Sequence, residues 1–220
     1  MHSLARALST WNTVFPSDNE YDIPFIRNNG RLPSALIAWG SRPKLLDVEE
    51  GSNMAVHFFL DDYRFESLWN RPAWSLDVLG HVGLALSPDF SLYRDMPVAM
   101  QIWQVYRNRW LGCFWQEHGI QVVPTISWSE PHDFCYYGVE PGSIVAVSPV
   151  GVQDMLARHL FRAGFQKMID VLSPSAILSY GELIPIIGTM PDIPIVTFPT
   201  HWEQHKPRRS PRKIQLPIAI

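Results

Sequence analysis

Six short runs of continuous hydrophobicity, at 56–60, 82–86, 122–127, 144–147, 176–179 and 193–197, constrain this chain more than any other feature. Strands that stay apolar at successive positions, instead of alternating with polar ones, are covered on both faces. Between the runs the periodicity turns helical, and alternating strands and helices build parallel βα units. One helix is expected to start near Asp95, with Pro97 in its first turn. It carries Val98, Ile102, Val105, Tyr106, Trp110, Cys113 and Phe114 as a stripe and stops at His118-Gly119. A second carries Val152, Met155, Leu156, His159 and Leu160, then a phase-shifted stripe of Phe165, Met168, Ile169 and Leu172, which predicts a kink or break at Gly164. A shorter helix, or a pair, is expected between Tyr63 and Leu79, interrupted by Pro72. The expected fold is α/β with parallel βα units, in a barrel-like or incomplete-barrel arrangement of about six units. An open doubly wound sheet is the alternative.

Residues 1–53 are punctuated by Pro16, Pro24, Gly30, Pro33, Gly40, Pro43 and Gly51 and read as an N-terminal wrapping segment. Residues 54–200 form the α/β domain, and 201–220 form a basic, Pro-rich tail. With 46% apolar and 18% charged residues the chain can bury a core and is not a disordered polymer. Two cysteines exclude a disulfide-stapled module, and no export signal or run of about 18 apolar residues is evident, so a cytoplasmic protein with no membrane partner is expected. A net charge of -3 gives no global attraction for nucleic acid, so any such partner would be held locally. The local candidates are Arg208, Arg209, Arg212 and Lys213 of the tail. The same tail could instead be solvated, or be an arm packed on a second copy in a homo-oligomer. The nine tryptophans serve either as core and rim side chains or as a stacking surface. Walker-type, dinucleotide, paired-Cys and Gly-x-Ser-x-Gly signatures are absent.

Ligands of parallel α/β folds bind beyond the C-terminal strand ends, where loops diverge and helix N-termini point. Five successive strand ends here are polar. Asp62, Asp89, Glu130 and Glu182 are the candidate catalytic carboxylates, as acid and base or as ligands of a divalent cation. Each has an ordinary alternative: a helix N-cap for Asp62, an Asx turn for Asp89, solvated loop charges for the two glutamates. Arg64, Trp128, Ser148 and Tyr180 are candidate substrate-binding residues on the same loops. Ser148, opening the turn to Gly151, could equally be a plain N-cap. Arg107 and Arg109, in the aromatic helix, could bind phosphate or pair internally with a strand-end carboxylate. Two imidazoles in 201–205 could share a helical face for metal, although Pro199 and Pro207 flank them closely.

Several stretches resemble an uncharacterised family of bacterial and phage proteins, the domain of unknown function 4417. They are Phe58-Phe-Leu-Asp-Asp-Tyr-Arg-Phe-Glu66, Trp69-Asn-Arg-Pro72, Leu86-Ser-Pro-Asp-Phe-Ser-Leu-Tyr93, Tyr106-Arg-Asn-Arg-Trp110, Pro124-Thr-Ile-Ser-Trp-Ser129, Ser148-Pro-Val-Gly151 and Ser179-Tyr-Gly181. The resemblance spans roughly residues 54–182 and implies a bacterial, phage or plasmid source, without an activity. Two functions are therefore carried forward. One is a hydrolase or transferase acting on a phosphate- or sugar-bearing substrate with the strand-end carboxylates. The other is a non-catalytic accessory protein that binds nucleic acid or a host protein, with its carboxylates scattered or internally paired.

Overall fold

A computed structural model describes residues 14–205 except 41, 50 and 190; the tail from 206, with Arg208, Arg209, Arg212 and Lys213, lies outside the described residues. Its elements in chain order are β1 (Ala35–Ala38), α1 (Arg42–Leu46), β2 (Met54–His57), α2 (Glu66–Asn70), α3 (Leu76–Val82), β3 (Leu84–Leu86), α4 (Val98–Glu117), β4 (Gln121–Val123), β5 (Ile144–Val147), α5 (Met155–Leu172), β6 (Ala176–Tyr180), α6 (Ile184–Ile187), β7 (Ile195–Phe198) and α7 (His201–His205), with short 3-10 turns between some of them.

All strand pairs are parallel, in two ladders ordered β1-β2-β3-β4 and β5-β6-β7. Past the end of β4, Thr125 bridges Ala146 of β5 in parallel, with Ile126 N–H on the Ala146 carbonyl at 2.8 Å and Ala146 N–H on the Pro124 carbonyl at 2.9 Å. The strands thus follow one another in sequence order. No ladder joins β7 to β1 among the described residues, so the result is an incomplete barrel, as expected from the strand spacing.

Side-chain alternation builds the layers. Ala55, Leu84, Leu86, Val123, Ala146, Leu178 and Phe198 meet as one interior cluster, joined by Leu36 and Val196, so β1 to β7 all face a common axis. The alternate residues pack outward: Val56, Ala85 and Val122 under α3 and α4, Val145, Val147 and Ile177 under α5. Apolar side chains on both faces explain the continuous runs. β1 falls inside the N-terminal wrapping segment, on its short apolar run 34–39, outside the six strand-like runs. It is a four-residue edge strand at intermediate burial between Pro33 and Gly40, too short and too exposed to stand out.

The N-terminal segment's described residues before β1, 14–34, strap the amino-terminal rim. Ile23 and Ile26 are buried, and the Asn29 side chain accepts Val122 N–H at 3.0 Å where β4 begins. Gly30 lies so close to Val122 and Val123 that a Cβ there would collide with both. Ser34 N–H donates to the Asn53 carbonyl at 2.7 Å, just before β2. The strap leaves the opposite rim to the loops.

The long helix α4 begins at Val98, with Pro97 rather than Asp95 as the flanking residue, and turns out through Gly119 at φ +79°. No break occurs at Gly164: α5 runs through it as one helix, capped by Asp154, whose carboxylate accepts Ala157 N–H at 2.7 Å. Gly164 serves a different need, because the Trp128 indole rests on it and a Cβ would overlap the ring. Trp128 is further packed against Phe161 and Tyr136, and the Tyr136 hydroxyl donates to the Gly164 carbonyl at 3.0 Å. Both cysteines are free and buried, and burial pushes each thiol up to about 12.

This packing gives Gly164→Ala an unusual sign. In an exposed helix the change stabilises by about 1 kcal/mol. Here the methyl must displace Trp128, and overpacking costs about 1–3 kcal/mol. Urea denaturation should show a lower midpoint for Gly164→Ala than for the wild type; an unchanged or raised midpoint would mean the indole does not seat on this glycine.

Candidate functional site at the rim of strands β2 and β3

Of the four candidate carboxylates, Asp62 and Asp89 come together. Asp62 opens the 3-10 turn after β2 and clasps the loop after β3: Ser91 Oγ–H donates to its Oδ1 at 2.8 Å, and Ser91 N–H reaches both carboxylate oxygens at 3.1 and 3.2 Å. It does not cap its own turn. Asp89, two residues before Ser91, is pushed up to about 7. Burial is the main cause and the nearby charge of Asp62 adds to it, against a hydrogen bond from Ser127 of the next loop. Three successive strand ends are thus linked, Asp62 to Ser91 on the loop that carries Asp89, and Asp89 to Ser127.

Glu130 and Glu182 do not join them. Glu130 is exposed and lies 3.7 Å from the His132 imidazole; Glu182 is exposed at the start of the loop after β6. Among the described residues no three His, Cys, Asp or Glu side chains gather as a metal-binding group.

The two arginines of α4 face inward. Arg107, 6% exposed, pairs with Glu66 at 2.5 Å, is held by Gln104 and covers the Phe90 ring at 3.9 Å. Arg109, 1% exposed, meets no carboxylate. Its guanidinium donates to the Thr125, Cys135 and Tyr137 carbonyls at 2.9–3.0 Å and to Asn108 Oδ1 at 2.6 Å, and burial lowers its pKa to about 10. Asn108 in turn accepts from Ser87 Oγ at 2.7 Å and donates to the Pro88 carbonyl at 2.6 Å, while Ser87 Oγ accepts Thr125 N–H at 2.8 Å. This network fixes Pro88 and Thr125, the residues that lead to Asp89 and Ser127. Behind Ser127 lies a cavity of about 10 Å³ lined by Phe90, Asn108, Arg109 and Cys135, room for one water.

On the far side of the axis, Tyr180 of β6 stacks on Phe59 with ring centres 5.0 Å apart and on His57 at 4.7 Å. Its hydroxyl accepts His201 N–H at 2.8 Å, tying down α7, and its carbonyl accepts Ser148 Oγ at 3.1 Å. Ser148 thus serves the turn, also accepting Val150 N–H at 3.2 Å. Trp128 is occupied by α5, with its indole N–H buried and unpartnered. Arg64 remains exposed, its guanidinium laid against Gly40 beyond β1.

His57 is the residue that sequence reading passed over. It ends β2 at 4% exposure, its Nδ1 accepts Phe59 N–H at 3.3 Å, and burial lowers its pKa to about 4. A signal existed: it is the one ionisable residue of the run 56–60 and keeps the inward parity of Ala55.

The parallel ladders and alternating strands and helices define an α/β protein with an unclosed barrel of parallel strands. The chain belongs to the family described as domain of unknown function (DUF4417), whose profile matches residues 15–198. The Gene 1 protein of Mycobacterium phage L5 is 42% identical over 197 residues, which cover 88% of this chain and 85% of that relative. The Gene 1 protein of Mycobacterium phage D29 is 42% identical over 196 residues, covering 88% and 72%. It is thus a phage-associated family of unknown function. No solved structure matches the chain, and no described helix is long and apolar enough to cross a membrane.

Asp89 and His57 give stability opposite pH slopes. Asp89 rises from 3.8 to about 7 on folding, so its contribution is full below pH 4 and is lost as pH climbs through 7. His57 falls from 6.5 to about 4, so its contribution is full above pH 6.5 and is lost as pH drops towards 4. Each slope is at most about 1.4 kcal/mol per pH unit. Between pH 4 and 6.5 they offset. Melting curves across this window should show stability rising with pH in Asp89→Asn and falling with pH in His57→Phe; parallel curves for the two variants would contradict these burial effects.

Proposed function

We propose that the protein is an acid–base enzyme, a hydrolase or transferase that cleaves a phosphate- or sugar-bearing substrate with Asp62 and Asp89. What supports this reading is that the Asp62–Ser91 clasp joins the loops carrying Asp62 and Asp89 at adjacent strand ends, where burial first, and the Asp62 charge after it, raise the pKa of Asp89. Carboxylates whose environments push their pKa values apart divide into an acid and a base. Asp89, protonated up to about pH 7, donates its proton to the leaving oxygen. Asp62 takes the proton of the attacking water or hydroxyl. After the bond breaks, Asp89 is the anion and Asp62 the acid, and exchange with solvent restores both.

A panel of p-nitrophenyl phosphate, bis(p-nitrophenyl) phosphate and p-nitrophenyl glycosides provides the test. Wild-type turnover of at least one is expected, falling above about pH 7 as Asp89 ionises and reduced about 10²–10⁴-fold in Asp89→Asn or Asp62→Asn. A rise in melting temperature with Mg²⁺ that disappears in Asp62→Asn would assign the same pair to a cation. Absence of turnover across the panel, or Asn variants as active as wild type, would sink the acid–base reading.

A further inference from the structure

The two loops that the Asp62–Ser91 clasp joins carry the same dipeptide. Asp62 is followed by Tyr63-Arg64, and Ser91, one residue on, by Tyr93-Arg94. Tyr63 is 80% exposed and Tyr93 58%. Arg64 and Arg94 are exposed as well, and neither is in an ion pair or hydrogen bond among the described residues. A tyrosine ring exposed to this degree forfeits its own burial, and an arginine without a carboxylate keeps its five donors available. Given the clasp, the two tyrosine backbones stand at most about 18 Å apart along the chain path.

We propose that these paired Tyr-Arg steps form a binding surface for single-stranded nucleic acid, which they lead to the carboxylate pair. This rests on the acid–base reading and names its substrate class. Exposed aromatic faces take up unpaired bases, whatever their identity, while guanidinium groups beside them take the phosphates. A duplex hides its base faces in the stack and offers the tyrosines nothing. A saccharide would use the rings and the carboxylates but has no anion for two free arginines. A lone phosphate would use the arginines and leave the rings idle. Asp61 and Asp95 flank the two steps, so the surface is locally mixed in charge and the binding is weak, with a Kd above about 1 µM at physiological salt.

Fluorescence anisotropy of a labelled oligothymidylate of about 12 nucleotides with the full chain reads this directly. The wild type should bind, with an affinity that falls as salt rises. Arg64→Gln with Arg94→Gln should flatten the slope of log K against log[salt] by about 1.4, two phosphates at about 0.7 each. Tyr63→Leu with Tyr93→Leu should weaken binding about 10-fold or more and leave that slope unchanged. The altered side chains are exposed, and matching melting temperatures verify folding. No binding by the wild type would overturn the proposal. So would binding that both double variants retain, which would place the source elsewhere in the chain, or equal binding of a duplex of the same length. Turnover of nitrophenyl esters does not enter this measurement, so the surface can fail while the acid–base pair stands, and the reverse.

Discussion

A guanidinium at 1% exposure must have its donors satisfied within the protein, and Arg109 meets that demand with main-chain carbonyls rather than with a carboxylate. Burying a cation is costly unless hydrogen bonds replace its hydration. The acceptors that do so here come from Thr125, Cys135 and Tyr137, which spread over the whole connection between β4 and β5. That connection is also where the four-stranded and three-stranded ladders are joined, by the single Thr125–Ala146 bridge. One side chain on α4 therefore sets the geometry at the weakest seam of the barrel. Its neighbour Asn108 does the same for the loop after β3. Asp89 and Ser127 inherit their positions from these two residues.

The rim also arranges its protons by burial. Asp89 is protonated and His57 neutral at the same pH, for the same reason: each sheds its charge because the surroundings cannot solvate it. The two lie at successive stages of neighbouring strands, His57 closing β2 and Asp89 just past β3, so neither adds charge to the part of the rim between them. Asp62, tied down by Ser91, has different surroundings from Asp89, and it is this asymmetry that makes the pair chemically different from two solvated aspartates.

How much of this was legible in the sequence follows from which periodicities survive without neighbours. Continuous apolar runs report burial on both faces, so β2 to β7 and their parallel sense could be read from the chain, as could α4. β1 escaped because an edge strand of four residues buries too little to leave a pattern. Gly164 does not break its helix, and its packing role was hidden because the partner ring, Trp128, lies 36 residues away and is visible only in three dimensions. The carboxylates show the same limit. All four candidates sit at strand ends, yet only Asp62 and Asp89 meet, because convergence depends on the clasp to Ser91 and on the register of β2 with β3. His57 was hidden by its company, a polar group in an apolar run.

The position of the site off the barrel axis has a consequence for what it can hold. In a parallel barrel the axis is the natural place for a small ligand enclosed by the loops. Here Phe59, His57 and Tyr180 stack across it, Tyr180 is pinned at its hydroxyl by α7, and the interior below is filled by Leu86, Val123, Leu178 and Phe198. The acidic pair stands to one side, at the rim over β2 and β3, with exposed Tyr63 and Tyr93 beside it. On the acid–base function proposed above, a ligand at this site would be touched along one flank, with the other left to solvent. Such contact suits a chain that continues past the reacting bond in both directions better than a molecule that must be surrounded to be held, because affinity then accumulates from successive weak contacts along the rim instead of from enclosure.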